Sequence, residues 1–184
     1  MHTANFSIRY ARALLAFANE TGVQQKVYKE ALVLRRNFAE IPKLKETLEN
    51  PVLDDTTKYE VLKKAVGENV SKELARFFQL VIKNKRTNYL PYMMNNFVDL
   101  YRKQEKISIG KLTTAVPIAP QEIERIRKIV VNHKGGTAEF LTHVDPSLIG
   151  GFIFDIGGYR LDASVSKQIK RVKQQFIEKN KRIV

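Results

Sequence analysis

At 184 residues and 43% hydrophobic content, the chain can bury one good core or two small ones, and its composition is that of a soluble globular protein. It carries a formal net charge of +13 and no cysteine, which removes disulfides, zinc–thiolate sites and thiol catalysis and fits a reducing compartment. No apolar run of membrane-spanning length and no signal-peptide pattern occurs, so no membrane span is expected and the mature chain is expected to start near Met1.

From Asn5 to about Lys106 the apolar residues recur at spacings of three and four. This predicts helices over 4–20, 24–40, 43–49, 55–66, 71–86 and 89–105, with seams at Gly22, Pro42, Asn50-Pro51, Gly67 and Pro91. Ser71, three residues before Leu74, reads as an N-cap, and Asp54-Asp55 suits a helix start, where acidic side chains favour the dipole. Six helices with short connections make an antiparallel six-helix bundle.

Two of these helices are more apolar than one core requires. Phe6, Ile8, Tyr10, Ala11, Ala13, Leu14, Leu15, Phe17 and Ala18 of the first cover roughly 220° of its circumference, against somewhat over ~100° for an ordinary core-facing stripe. The fifth helix shows the same excess through Leu74, Ala75, Phe77, Phe78, Leu80, Val81 and Ile82. Two explanations fit: burial on two sides, or a shared groove that takes a partner's amphipathic helix.

After Lys106 the period changes. "ISIGKLTTAV" is β-branched and alternating, "QEIERIRKIVVNH" is helical, and "TAEFLTHV" is again strand-like. The boundary near residues 105–108 divides the chain into a helical domain over 1–106 and a small α+β domain over 107–184, with the order β, α, β, β, β, α. Gly157-Gly158, between "FIFDI" and "YRLDA", reads as a two-residue hairpin loop that pairs Ile156 with Tyr159, Asp155 with Arg160 and Phe154 with Leu161. Neither the GxGxxG spacing nor a Gly-rich loop leading to Lys-Ser/Thr is present, so these glycines are architecture and not a phosphate site. Gly150-Gly151 is a bulge or a close backbone approach. Ser164 then caps a last helix whose Val165, Ile169, Val172 and Phe176 form one stripe able to lie on the sheet.

Catalytic signals are thin. His2, His133 and His143 are far apart, His143 with Asp145 and Ser147 has no triad spacing, and no His pair or acidic loop has metal-ligand spacing. No catalytic residue, cofactor or metal is expected. The positive charge is spread, with 19 Lys and Arg against 12 Asp and Glu over 1–106 and 13 against 7 over 107–184. Its one dense block is the C-terminal helix, with Lys167, Lys170, Arg171, Lys173, Lys179, Lys181 and Arg182 against Glu178. That block is a solvated face or meets an anionic partner, so a basic nucleic-acid-binding protein stands as the alternative class.

Gly150-Gly151, "FIFDI", Gly157, Leu161, Asp162 and Ser164 form an ordered pattern, joined by "IRYARALLAFA" near the start and "FFQLVIKNKRTNYLPYMMNNFVDLYRKQ" in the middle. In these stretches the chain resembles the delta subunit family of F-type ATP synthases, which in mitochondria is the oligomycin sensitivity conferral protein. Gly158, Ala163 and Asp155 depart from the family pattern, and pairing of Asp155 with Arg160 would compensate the last of them. The resemblance implies a non-catalytic stator subunit at the cytoplasmic face of the bacterial inner membrane. It would link the catalytic head to the b subunits of the peripheral stalk, so that hydrogen ion transport drives ATP synthesis. It also implies that the first and fifth helices hold the N-terminal helix of an alpha subunit, through Tyr10, Ala13, Leu14, Phe77 and Val81. On that reading Leu14→Asp or Val81→Asp weakens binding while the free bundle, where the site is exposed, keeps its helices; a substitution that unfolds the bundle puts its residue in the core, as burial on two sides requires.

Overall fold

A computed structural model describes residues 2–67, 69–134 and 136–181. The side chains of residues 2–5, 129–130, 133–134, 176 and 178–181 lie outside that description, and with them the sequence expectations on His2, His133 and Phe176. The chain divides into two compact units, one ending at Gln104 and the other starting at Glu105.

Among the described residues the first unit holds six α-helices: α1 (His2–Glu20), α2 (Gln24–Glu40), α3 (Pro42–Glu49), α4 (Asp55–Val66), α5 (Lys72–Lys83) and α6 (Leu90–Gln104). Helix α6 packs on both α1 and α2, and its Leu90, Met93, Met94, Phe97 and Val98 are completely buried. Leu14 and Ala18 of α1, Val27 and Leu34 of α2, and Leu74 and Phe78 of α5 complete that core. The Tyr28 ring stacks on Tyr101 at 4.2 Å, and Arg102 Nε donates to the Tyr28 hydroxyl at 2.9 Å.

Several helix boundaries have a visible physical cause. Gly22 turns the chain after α1 with φ 71°, and Pro42 opens α3 at a position where its missing N–H costs nothing. Ser71 caps α5 by accepting from the Leu74 amide at 3.4 Å. Helix α5 ends at Lys83, three residues short of the expected boundary, in a Schellman motif: the Lys85 amide donates to Ile82 O at 2.8 Å and the Arg86 amide to Val81 O at 3.0 Å. The left-handed residue that closes it is Lys85, φ 54°, where glycine is usual, so composition gave no stop signal.

The second unit holds β1 (Ile107–Thr114), α7 (Pro120–Lys134), β2 (Thr137–Val144), β3 (Phe152–Ile156), β4 (Tyr159–Asp162) and α8 (Val165–Lys181). The sheet order is β2-β1-β3-β4, with β1 and β2 parallel and the other pairs antiparallel. Leu112, Phe154 and Ile156 form its core, with Ile118, Ile126, Phe140 and Phe152 packed against them. Gly110 sits between the Phe140 and Phe154 rings, whose atoms would come within 2.8 and 2.9 Å of any Cβ there. The β3–β4 hairpin has the register read from the sequence, Ile156 opposite Tyr159, Asp155 opposite Arg160 and Phe154 opposite Leu161. Gly157 and Gly158 have φ of 55° and 84°, as a type I′ turn requires.

The expectation that the stripe of α8 lies on the sheet is not met. Ile169 is 52% and Val172 49% exposed, and α8 packs chiefly on the 3-10 turn Pro146–Leu148. Ile118, ahead of α7, and Ile126 of α7 pack on the apolar face of the sheet at Leu112, Phe154 and Ile156, while Tyr159 and Leu161 on its β4 edge stay exposed. The strand register sends Lys111, Glu139, His143, Asp155 and Arg160 to the other face together with Ile109, Leu141 and Ile153, and Ile109 and Leu141 stay exposed there.

Candidate partner-binding site

Phe6, Tyr10, Ala13 and Phe17, spaced by four, three and four residues, share one edge of α1, and Phe77 and Leu80 lie on the facing part of α5. The Tyr10 and Phe77 rings meet edge to face with centroids 6.2 Å apart, which fixes the seam between the two helices. At its end Arg86, delivered by the Schellman turn, lies over two rings, 4.9 Å from the Phe6 centroid and 5.4 Å from that of Tyr10. Its Nη1 donates to the Tyr10 hydroxyl at 2.6 Å.

The five residues assigned from the family pattern separate into two groups. Tyr10 is half-buried and Ala13 exposed, so both reach the surface of the seam. Leu14, Phe77 and Val81 are buried in the chain by itself, Leu14 at 2% and Val81 at 0% exposure. The condition that the site be exposed is not met at Leu14 and Val81: both side chains fill the core of the unit by itself, and an aspartate there would be desolvated without a partner. The surplus apolar arc therefore has two origins: part is burial on a second side, and part is an open edge carried by Phe6 at 37% and Leu80 at 48% exposure. Sequence reasoning placed Phe6 and Leu80 on the apolar arcs but did not assign them to the site, and it missed Arg86, which follows the end of a helix and has no periodic signal.

A second feature missed is Glu30, a buried carboxylate on α2. Its Oε1 accepts from the Ser71 amide at 2.8 Å and its Oε2 from the Ser71 hydroxyl at 2.5 Å, so α2 holds the start of α5 in place. The signal was present, because Glu30 lies on the same face of α2 as Val27, Ala31 and Leu34, where a charge is out of place without a partner.

The glycine motif in the second unit is a crossing of two backbone segments. A Cβ on Gly151, φ 73°, would stand 2.2 Å from Ala163 O, and one on Gly150 would stand 3.0 Å from a Val165 methyl. The close approach lets the Ala163 amide donate to Phe152 O at 2.9 Å and the Val165 amide to Gly150 O at 3.0 Å. Asp162 Oδ1 accepts from the Ser164 amide at 3.1 Å and hydroxyl at 2.7 Å, and Ser164 Oγ accepts from the Lys167 amide at 3.2 Å, capping α8. These bonds from Ser164, its hydroxyl foremost, hold the Asp162 carboxyl below the usual carboxylate range. Gly150, Gly151, Gly157, Asp162 and Ser164 thus position strands and a helix. Among the described residues no cluster of three or more His, Asp or Glu side chains could hold a metal ion.

The model of the ATP synthase delta (OSCP) subunit family matches residues 7–176. The chain belongs to the ATP synthase delta (OSCP) subunit family. Among curated members, it is 52% identical to ATP synthase subunit delta of Phocaeicola vulgatus and 44% identical to that of Bacteroides thetaiotaomicron, with the whole of both chains covered in each case. Its fold is also that of a chain in the cryo-EM structure of the Toxoplasma gondii mitochondrial ATP synthase hexamer, at a TM-score of 0.61 and 20% identity over 93% of this chain and 97% of that one. No helix among the described residues of this delta-family chain is long and apolar enough to cross a membrane.

Proposed function

We propose that the chain is the non-catalytic delta subunit of the stator of a bacterial F-type ATP synthase. The helical unit, an antiparallel six-helix bundle on this reading, holds the N-terminal helix of an alpha subunit at the α1–α5 seam. The α+β unit joins the b subunits of the peripheral stalk, with the half-open stripe and basic face of α8 as its contact surface. The division near Lys106 gives each neighbour its own unit. Held at the cytoplasmic face of the inner membrane only through the complex, the subunit keeps the head from turning with the rotor, so that proton-driven rotation is spent on ATP synthesis.

The observation that carries this reading is the full-length kinship with chains named ATP synthase subunit delta, at up to 52% identity. The open apolar edge of Phe6, Ala13 and Leu80 supports the place of docking, since an inserted helix would remove it from water at roughly 25 cal/mol per Å². The test is reconstitution with native membranes stripped of their own delta subunit. Adding the chain restores ATP-driven proton pumping, and the chain recovers ATP synthase subunits in a pull-down. Robust ATP turnover by the isolated chain, or an eluate without ATP synthase subunits, overturns the reading.

A further inference from the structure

We propose that Arg86 is the specificity residue of the α1–α5 seam, and that it reads a carboxylate on the docked helix. The inference rests on the proposed docking of an alpha-subunit helix at this seam.

Arg86 is set up as a fixed cation. Its backbone is tied by the amide hydrogen bond to Val81 O, its guanidinium lies against the rings of Phe6 and Tyr10, and one Nη1–H is used by the Tyr10 hydroxyl. Among the described residues no carboxylate pairs with it, although the side chain is only half exposed. Guanidinium presents five donors in a planar fork that matches a carboxylate bidentately, and stacking on aromatic faces leaves its edge free for this. A helix laid along Phe6, Ala13 and Leu80 takes water from the remaining donors. If it brings no acceptor, a desolvated charge is left unpaired, and that penalty rejects the wrong partner.

The surroundings are mostly of the same sign. Arg9 stands three residues after Phe6 and four before Ala13, and Arg76 and Lys83 stand four before and three after Leu80, all exposed and next to the open edge on their helices. The acids on these edges are Glu73, at the start of α5, and Glu20, at the end of α1 away from Phe6. The occupant this edge fits is therefore an amphipathic helix whose apolar stripe is flanked by acidic side chains, one of them placed to meet Arg86.

The experiment is a fluorescence-anisotropy titration of the full chain with a labelled peptide of the cognate alpha-subunit N-terminus, and with copies in which each Asp or Glu is replaced singly by Asn or Gln. One replacement is expected to weaken binding to the wild-type chain about tenfold or more, as the loss of a desolvated carboxylate–arginine pair requires. Against Arg86→Met the same replacement changes binding by less than about twofold, because the coupling is gone, and Arg86→Lys falls between. Circular dichroism checks that each variant keeps its helix content, and the peptide replacements on wild-type chain need no variant. If every acidic position is tolerated equally while Ala13→Asp and Leu80→Asp still abolish binding, Arg86 reads no carboxylate and the proposal fails with the docking site intact. If Ala13→Asp and Leu80→Asp also leave binding unchanged, or the peptide does not bind, the docking site itself is wrong and the proposal falls with it.

Discussion

Two serines start two helices, Ser71 at α5 and Ser164 at α8, with the same hydrogen-bond chemistry and opposite reach. In each the hydroxyl donates to a carboxylate, accepts from the amide three residues on, and shares that carboxylate with its own backbone N–H. For Ser164 the carboxylate is Asp162, two residues back. For Ser71 it is Glu30, 41 residues away on another helix and nearly out of water. The local cap starts a helix, whereas the long-range cap also fixes one helix against another. The stripes that follow differ in the same direction: α5 buries Leu74, Phe78, Val81 and Ile82, and α8 leaves Ile169 and Val172 half in water.

The widest gap between the two helices lies in their stripes. Val81→Asp should cost more than about 4 kcal/mol, enough to unfold the helical unit, because a charge without a partner would replace a completely buried methyl-bearing side chain. Ile169→Asp, at a half-exposed site, should stay within about 1 kcal/mol. Urea melts of the full chain followed by circular dichroism decide it, and comparable midpoints would erase the distinction.

The caps come next. Glu30→Ala strips acceptors from a buried backbone amide and a buried hydroxyl, at a cost of about 3 kcal/mol. Asp162→Ala should be milder, because although Ser164 is itself buried the Asp162 side chain is 21% exposed, so its removal opens the Ser164 amide and hydroxyl to water. Thermal melts of the two variants under one buffer test the order, and an equal loss would mean that reach does not matter.

How far these features were legible follows the same division. The hairpin register, the Ser164 cap and the six helical stretches were readable because each is written within a few residues: a Gly-Gly turn, a serine ahead of a stripe, a period of three and four. The role of Glu30 needs α2 brought to the residue that precedes α5, and that of Gly110 needs two rings brought in from β2 and β3. At the seam, periodicity found the apolar arcs of α1 and α5 but could not separate the side facing the core from the side left open. Leu14 and Val81 prove buried in the chain by itself, and Phe6 and Leu80 stand open beside them.

The end of α5 offers a change in the stabilising direction. Lys85 adopts the left-handed conformation that costs an L-residue roughly 1–2 kcal/mol and glycine very little, so Lys85→Gly should raise stability by about 1 kcal/mol after the entropy glycine loses on folding. No such gain is available at the start of α8, where the capping residues already suit their backbone. A rise in melting temperature for Lys85→Gly that Ser164→Gly does not share would support this, and a fall would show that the lysine side chain makes up for its strain.

The smallest effect is a pH dependence confined to the local cap. The Asp162 carboxyl is held below its ordinary value by the Ser164 hydroxyl first and the Ser164 amide next, with smaller help from the charges of Lys167 and Arg160. A depressed folded-state value means that the ionised form is the one the fold stabilises. The contribution of the cap is therefore complete above the unfolded value of about 3.9 and is lost as pH falls through the lower folded value. Carbon-detected NMR titration of the Asp162 carboxyl in the full chain should give a midpoint below that of a free aspartate. Ser164→Ala removes the hydroxyl but keeps the backbone N–H, so it should move the midpoint most of the way up, and Lys167→Ala should move it much less because that ammonium is mostly in water, 3.9 Å from Oδ2. If Lys167→Ala moved it more, charge and not hydrogen bonding would hold the start of α8, and the likeness of the two serine caps would be one of geometry alone.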